Sequence, residues 1–209
     1  MSFVIVIAHP KGGVGKSTIA TNLAVEISKL QKVTAINLDV QKSLTYFNVI
    51  RKETKQPLTL QTTTNFKELQ EIVNNNKQTL IIDVGGFDSD LNRAAMLGAD
   101  IIITPVSDSA IEIVELLSFK NILKEVHKSR PELKVSVLLN RIHANAKSSL
   151  EKLKGFVSEN PEFKLLNSVL RDRIEFKKAF EAGLSVNELN PNSKAASEIN
   201  KLIKEIING

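Results

Sequence analysis

Residues 10–18 read Pro10-Lys11-Gly12-Gly13-Val14-Gly15-Lys16-Ser17-Thr18, between a short apolar run and a longer amphipathic segment. Glycines permit positive φ and allow backbone N–H groups to turn inward. Those N–H groups and the positive end of a following helix together form an anion-binding site. A strand, a glycine-rich loop, a Lys-Ser pair and a helix in this order predict a phosphate-binding loop (P-loop), although Pro10 stands where the strict pattern has glycine.

The residue types in this loop predict separate roles toward a bound nucleoside triphosphate and Mg²⁺. Lys16 would reach the β- and γ-phosphates, the Ser17 hydroxyl would bind Mg²⁺, and Thr18 would contact the α-phosphate. The backbone of the four preceding residues would surround the phosphates: Gly12, Gly13, Val14 and Gly15. A glycine-rich turn without a ligand is the alternative, and it leaves the register of strand, loop, Lys-Ser and helix unexplained.

The rest of the chain alternates short β-branched runs with amphipathic segments of helix length. The runs predict strands over residues 3–7, 33–38, 58–61, 79–84, 100–105, 135–140 and 165–170. The amphipathic segments predict helices over residues 16–30, 66–74, 110–126 and 193–207. This alternation predicts an α/β fold with a mostly parallel, twisted sheet of about seven strands and helices on both faces. Since no long linker interrupts residues 1–209, we expect one domain.

The composition and charge of the chain exclude several classes of protein. The chain has 209 residues, of which 42% are hydrophobic and 24% charged, which is typical of a soluble globular protein. It contains no cysteine, which excludes disulfides, thiolate metal sites and iron–sulfur clusters. No apolar run is long enough to span a bilayer, and we expect a cytoplasmic protein. The net charge of +5 permits a polyanionic partner without requiring one.

A carboxylate follows the fourth predicted strand. The run Thr79-Leu80-Ile81-Ile82-Asp83 continues into Val84-Gly85-Gly86. Apolar residues followed by Asp are typical of a Walker B strand, whose Asp holds a water molecule of the Mg²⁺ shell. An aspartate at a strand end in a glycine turn is the structural alternative. Together with the P-loop, the pattern favours Asp83 as a metal-site residue.

The letters K-G-G-V-G-K-S-T resemble the deviant Walker A box of the ParA/MinD superfamily. The chain is most similar to the short ParA proteins of plasmid partition, the ParF type. In that family the first lysine, matched here by Lys11, crosses a nucleotide-sandwich dimer and touches the phosphates of the partner. The resemblance therefore implies that Lys11 and Lys16 both serve catalysis and that ATP drives dimerisation.

The resemblance extends to the ends of two strands. Asn37-Leu38-Asp39-Val40-Gln41 stands where the family usually reads D-x-D-P-Q. Asp39 matches the residue that positions or activates the attacking water, and we also count it with Ser17 and Asp83 among the metal-site residues, whereas Asn37 and Val40 depart from the pattern. These departures predict weaker metal binding or slower turnover. Gly86 matches the glycine of the family's D-x-x-G switch, whose amide senses a γ-phosphate.

Two further segments are assigned through the same resemblance. Asn140 and Arg141 follow the sixth strand, where the family recognises adenine, and the donor and acceptor of an Asn amide suit that base. The segment 164–178 is basic, with only Asp172 and Glu175 as opposing charges between those positions. The resemblance implies non-specific DNA binding by its cations, for which we select Arg171, Arg173, Lys177 and Lys178.

These observations favour a DNA partition ATPase with ATP and Mg²⁺ as cofactors. The resemblance implies an ATP-bound homodimer on non-specific duplex DNA of the nucleoid, released when a centromere-binding ParB- or ParG-like partner stimulates hydrolysis. The chain starts at strand one, so we expect no N-terminal DNA-binding extension. A MinD-like positioning ATPase is the first alternative, and it would need a free, lipid-binding helix at residues 193–207. The second alternative is a nucleotide-gated scaffold that scarcely hydrolyses ATP.

Overall fold

Seven parallel strands form one sheet in the computed structural model, which describes residues 3–86, 88–109, 111–143 and 147–208. The strands are β1 (Val4–Ile7), β2 (Val33–Asn37), β3 (Leu60–Thr62), β4 (Thr79–Asp83), β5 (Ile101–Val106), β6 (Val135–Ile142) and β7 (Phe163–Arg171). Their order across the sheet is β3-β2-β4-β1-β5-β6-β7. The predicted α/β class and parallel sheet are thus confirmed.

The helices cover both faces of the sheet. In chain order they are α1 (Lys16–Ser28), α2 (Ser43–Lys52), α3 (Phe66–Asn74), α4 (Asp90–Leu97), α5 (Glu112–Ser129), α6 (Lys147–Glu159), α7 (Ile174–Glu181), α8 (Val186–Leu189) and α9 (Lys194–Asn208). Alternate strand residues enter two separate cores. Val4 and Val6 pack with α3 to α6, whereas Ile5 and Ile7 pack with α1, α2 and α7 to α9.

The structure adds helices that the sequence did not predict, namely α2, α4, α6, α7 and α8. Helix α2 shows why. Only Leu44, Phe47 and Arg51 are buried on it, while Tyr46 and Val49 are 64% and 61% exposed. Its apolar residues therefore do not mark one buried face. Strand limits also differ, because β7 runs from Phe163 to Arg171 rather than over residues 165–170. Residue 110, where the helix predicted over residues 110–126 begins, lies outside the described residues.

Helix α9 packs against the sheet beside the edge strand β7. Its apolar stripe is buried in one of the two cores: Ala195, Ala196, Ile199, Leu202, Ile203 and Ile206. Two of its carboxylates also accept backbone N–H groups of β7. Glu205 accepts from Asn167 and Ser168, and Glu198 accepts from Arg171. The helix thereby buries its apolar stripe and satisfies part of the open edge of the sheet.

A buried ion pair fixes the turn between α7 and α8. The Arg51 guanidinium donates to both Glu188 carboxylate oxygens at 2.7 and 2.9 Å and to the Gly183 carbonyl at 3.0 Å. Gly183 has φ +66°, and a Cβ there would lie 2.4 Å from the Arg51 nitrogen. Only glycine fits this contact without strain. This ion pair holds α7, which forms one wall of the cleft above the P-loop, against α2.

Candidate nucleotide site

The P-loop connects β1 to α1 at the carboxyl edge of the sheet. Gly13 and Gly15 have φ values of +77° and +96°, in the left-handed region that favours glycine. Gly15 has no space for a side chain either, because a Cβ would lie 2.6 Å from Asn140 Nδ2. Helix α1 begins at Lys16 and has no acidic residue in its first turn. Its positive end therefore faces the loop without a neutralising carboxylate.

A cleft of about 810 Å³ opens above this loop. Its walls come from the P-loop, residues 39–41 after β2, Gly86 after β4, residues 140–141 on β6, and residues 170–174, 176 and 177 at the end of β7 and in α7. Open α/β sheets bind ligands in this position, beyond the carboxyl ends of the strands. The volume lies in the range typical of small-molecule and cofactor sites.

The Lys16 side chain is held inside the loop. It is 5% exposed, and its ammonium donates to the Lys11 carbonyl at 2.9 Å. Burial lowers the pKa of Lys16, while the nearby carboxylates of Asp83 and Asp39 act in the opposite direction. The structure thus places Lys16, which is predicted to bind phosphate, close enough to the carboxylates of Asp83 and Asp39 for their charges to interact.

Asp83 ends β4 with its side chain completely buried. Neither carboxylate oxygen has a hydrogen-bond partner of good geometry among the described residues. Burial raises the pKa of Asp83 to about 7, and the neighbouring Ser17 hydroxyl and Lys16 ammonium only partly oppose this shift. An unpaired buried carboxylate costs free energy unless a cation or a water shell satisfies it.

These side chains fit Mg²⁺. The ion takes oxygen ligands, keeps several waters and binds through one or two protein groups together with substrate phosphates. The Ser17 hydroxyl beside the orphaned Asp83 oxygens supplies that donor set at the mouth of the P-loop. Among the described residues, no group of three or more His, Cys, Asp or Glu could hold a metal by itself. A metal here would therefore depend on the nucleotide for further ligands.

Asn37 lies beside Asp83, because these two residues pair in the β2–β4 register. Asn37 is 4% exposed, its Nδ2 donates to the Asp39 carbonyl at 3.0 Å, and its Oδ1 has no partner among the described residues. Asp39 is half-buried and accepts from the Gln41 N–H at 2.9 Å. An aspartate at position 37 would place a second buried carboxylate next to Asp83, and the amide avoids that repulsion.

We expect Asn37→Asp to destabilise the protein without nucleotide by about 1–3 kcal/mol at pH 8, because two adjacent buried carboxylates then share one site. Mg²⁺ with ATP should reduce this loss. Urea unfolding with and without Mg²⁺–ATP measures both effects. Asn190→Asp is the control, since Asn190 is exposed and its Oδ1 accepts from the Asn192 N–H, as Asp would. Equal stability of Asn37→Asp and the wild type would contradict the repulsion argument.

Gly86 touches the start of the P-loop. A Cβ at this position would lie 2.7 Å from the Gly12 nitrogen and 2.9 Å from the Lys11 carbonyl carbon. Such an overlap with backbone cannot be relieved by a side-chain rotation, so glycine is required. The segment after Asp83 therefore reaches the P-loop, and the predicted role of Gly86 as a γ-phosphate sensor stays a prediction.

Asn140 and Arg141 contact the P-loop directly. Asn140 Nδ2 donates to the Val14 carbonyl at 2.7 Å, and Arg141 Nη1 donates to the Gly13 carbonyl at 2.8 Å. The sequence predicts adenine recognition for both residues but does not predict these contacts that support the loop. Both residues also line the cleft, so their contact with adenine stays a prediction.

The basic segment 164–178 carries less free charge than its sequence suggests. Arg173 pairs with Glu198 of α9 at 2.7 Å, which raises the pKa of the guanidinium. The count of two opposing carboxylates holds within the segment, but two carboxylates outside it also face these cations: Glu198, and Glu181, which lies 3.8 Å from the Lys177 ammonium. Arg171, Arg173 and Lys177 line the cleft, and Lys178 is exposed on α7. Their contact with DNA stays a prediction.

One polar group beside the loop was missed by the sequence analysis. His9 is 2% exposed, and burial together with the Lys16 and Lys11 charges lowers its pKa to about 4. Its nearest acidic neighbour is Glu112, which is 3% exposed on α5. The signal in the sequence was weak: a lone histidine between a strand and a glycine loop, and one glutamate within an amphipathic helix.

The family follows from a comparison with known proteins. The model of the CobQ/CobB/MinD/ParA nucleotide binding domain matches residues 5–186 of the chain. The chain therefore belongs to this family, and it is a P-loop protein of the ParA/MinD type. Among curated proteins it is similar to the maintenance of carboxysome distribution protein A of Halothiobacillus neapolitanus. The two are 23% identical over 99% of this chain and 97% of the relative.

Solved structures share the fold over the whole chain. A plasmid partition protein of Borrelia burgdorferi B31 bound to AMPPNP has a TM-score of 0.73 at 19% identity, covering 100% of this chain and 99% of that one. The MinD cell division protein of Aquifex aeolicus has a TM-score of 0.72 at 18% identity, covering 100% and 98%. Plasmid partition, cell division and carboxysome distribution thus all occur among the proteins that it resembles.

Proposed function

We propose that the chain is an ATP-dependent partition ATPase whose ATP-bound dimer binds DNA without sequence preference. The presence of Lys11 in addition to Lys16 carries this proposal. Lys16 already occupies the interior of the loop, where it donates to the Lys11 carbonyl. No ion pair of the Lys11 ammonium occurs within the described part of the chain, so this second cation is available to a partner subunit. A lysine acting across a dimer links dimerisation to bound ATP.

The residues of the cleft divide the work of hydrolysis. Lys16 and the loop amides bind the phosphates, and Lys11 of the opposing subunit stabilises charge on the transferred phosphoryl group. Asp39 orients the attacking water, and Gly86 reports the γ-phosphate to the segment after β4. Ser17 and Asp83 would hold Mg²⁺, which supplies charge neutralisation at the phosphates. We expect slow turnover without a partner, since Asn37 replaces a carboxylate beside Asp83.

DNA binding is assigned to the cations at the rim of the cleft. Arg171 and Lys177 line the rim, and Lys178 lies exposed on the neighbouring helix. Phosphate contacts by such cations need no sequence recognition and weaken with salt. A dimer presents the surface twice, so that two weak contacts act as one stronger one. A ParB- or ParG-like partner that stimulates hydrolysis would then release the monomers from DNA.

The names of the relatives suggest a second kind of cargo, and a membrane is the alternative to DNA as the track. Likeness over nearly the whole chain to a carboxysome distribution protein favours a protein body as an alternative cargo to a plasmid. A membrane track is less well supported. The apolar stripe of α9 is buried against the sheet, and no described helix has both the length and the apolar character of a membrane span. A free lipid-binding helix would have to leave that core.

Binding to random-sequence duplex DNA tests the proposal at one moderate salt concentration, with ATP–Mg²⁺, ADP–Mg²⁺ or no nucleotide. We expect binding with ATP only, and a loss of about tenfold or more in the double variant Lys177→Ala, Lys178→Ala. Lys201→Ala, Lys204→Ala removes the same charge from exposed positions on α9 and serves as the matched control. Equal DNA binding in all three nucleotide states would contradict an ATP-gated DNA track.

A further inference from the structure

A buried polar chain joins the start of α5 to the start of the P-loop. Ser107 Oγ donates to Glu112 Oε1 at 2.8 Å, and Glu112 Oε2 lies 3.7 Å from His9 Nε2. On the other side of the ring, His9 Nδ1 accepts from the Lys11 N–H at 3.1 Å. Burial of two ionisable side chains costs free energy. Neither His9 nor Glu112 belongs to the P-loop residues that are predicted to contact the phosphates.

The bond from Lys11 determines the state of the imidazole ring. Nδ1 accepts a hydrogen bond only when it carries no proton, so the proton of the neutral ring is on Nε2. The Glu112 carboxylate faces Nε2 and favours a proton at that nitrogen. Burial and the nearby lysines keep the pKa of His9 far below 7, so that the ring is neutral near that pH. His9 is therefore held as an acceptor toward Lys11.

Both backbone polar groups of Lys11 have a partner in this structure. Its N–H is bound by His9, and its carbonyl is bound by the Lys16 ammonium. Lys16 is also the side chain that the proposed function assigns to the nucleotide phosphates. When the ammonium turns to a phosphate, it shares its donors between the phosphate and the Lys11 carbonyl, whereas the bond from the Lys11 N–H to His9 does not compete with the nucleotide.

We propose that His9, oriented by Glu112, is a positioning residue that fixes the Lys11 peptide of the P-loop while Lys16 binds phosphate. This inference rests on the ATP-binding function proposed above. It assigns a role to a strand-end histidine that contacts no predicted ligand, and it connects α5 to the loop that carries both lysines. An asparagine would serve the same purpose, because its Oδ1 accepts from the N–H two residues further on, as in an Asx turn.

Three variants of His9 distinguish the contribution of the hydrogen-bond acceptor from that of the packing of the ring. His9→Leu keeps an apolar side chain and removes the acceptor, His9→Asn restores an acceptor, and His9→Ala removes both. We expect the dissociation constant for ATP–Mg²⁺ to rise about fivefold to tenfold in His9→Leu and His9→Ala, which is the effect of one lost hydrogen bond. It should return to within about twofold of the wild type in His9→Asn.

Amide hydrogen exchange at Lys11 without nucleotide gives a second readout. Protection should fall about tenfold in His9→Leu and recover in His9→Asn. Equal losses in His9→Asn and His9→Leu would mean that ring packing matters rather than the acceptor, and would overturn the inference. Unchanged ATP affinity in a folded His9→Leu would overturn it as well. If the wild type binds no ATP, the proposed function fails instead, while exchange at Lys11 still decides whether His9 holds the peptide.

Glu112 is tested without altering the strand that carries His9. Glu112→Gln removes the charge that favours the proton on Nε2, and we expect about threefold weaker ATP binding and faster exchange at Lys11. Glu115→Gln removes the other carboxylate from the first turn of α5 and should change neither. The comparison remains informative if a His9 variant fails to fold. Equal behaviour of the two glutamine variants would overturn the role of Glu112.

Discussion

Lys16→Ala is expected to abolish nucleotide binding, whereas Lys11→Ala is expected to leave binding largely intact and to remove the ATP-dependent dimer. The difference follows from where the two side chains lie. Lys16 is 5% exposed inside the loop, and a charged bond to phosphate there contributes about 3 kcal/mol, or roughly a hundredfold in affinity. Lys11 contributes backbone groups to its own loop, and we assign its ammonium to the opposite subunit.

Calorimetric titration with ATP–Mg²⁺ and sedimentation velocity measure the two effects separately. Lys201→Ala, an exposed lysine on α9, controls for the loss of one positive charge. A Lys11→Ala protein that still forms dimers with ATP would refute the action of this lysine across the interface. Loss of nucleotide binding in Lys11→Ala would instead place the side chain in the cleft of its own subunit.

The parts of this site that lie within one continuous segment were predictable from sequence. The P-loop is such a segment, since its glycines, Lys16 and Ser17 act through local backbone geometry and through the helix that they begin. Strands β1, β2, β4 and β5 were predictable because they are buried on both faces over nearly their whole length and are therefore mostly apolar. Asp83 was predictable for the same reason, as a charged residue at the end of an apolar run.

Contacts between distant segments were not predictable. Asn37 lies beside Asp83 because β4 is inserted between β2 and β1, and nothing near either residue encodes that order. The Arg173 guanidinium is paired with Glu198, which lies 25 residues further along the chain. Helix α2 exposes Tyr46 and Val49, so its pattern has no clear buried face. Each of these features depends on tertiary pairing rather than on periodicity.

Asp83→Asn is expected to change how stability without nucleotide and metal depends on pH. The pKa of Asp83 is raised to about 7 in the folded protein, so between pH 4 and 7 the folded state keeps a proton that the unfolded state has released. Stability therefore falls as pH rises through this window. His9 acts in the opposite sense between about pH 4 and 6.5, because its pKa is lowered to about 4. These two slopes nearly cancel in the wild type below pH 6.5.

Without the Asp83 carboxylate, only the effect of His9 is left, and the unfolding free energy then rises with pH between about pH 4 and 6.5. Relative to the wild type, Asp83→Asn should gain up to about 3 kcal/mol of unfolding free energy between pH 5 and 8. Urea unfolding in the presence of a chelator measures this difference, from which any offset independent of pH cancels. Asp90→Asn, an exposed acid at the start of α4, is the control. A slope identical to that of the wild type would show that the buried carboxylate is not destabilised.

The same variant should gain less stability from ATP–Mg²⁺ than the wild type, because it lacks the carboxylate that we assign to the metal. A ligand stabilises the folded state in proportion to the logarithm of its concentration over its dissociation constant, so the missing increment reports the lost affinity. Asp83 would then destabilise the empty protein at neutral pH and stabilise the loaded one. Such a reversal is what a nucleotide switch requires of a buried charge, since only a difference between the two states lets binding change the conformation.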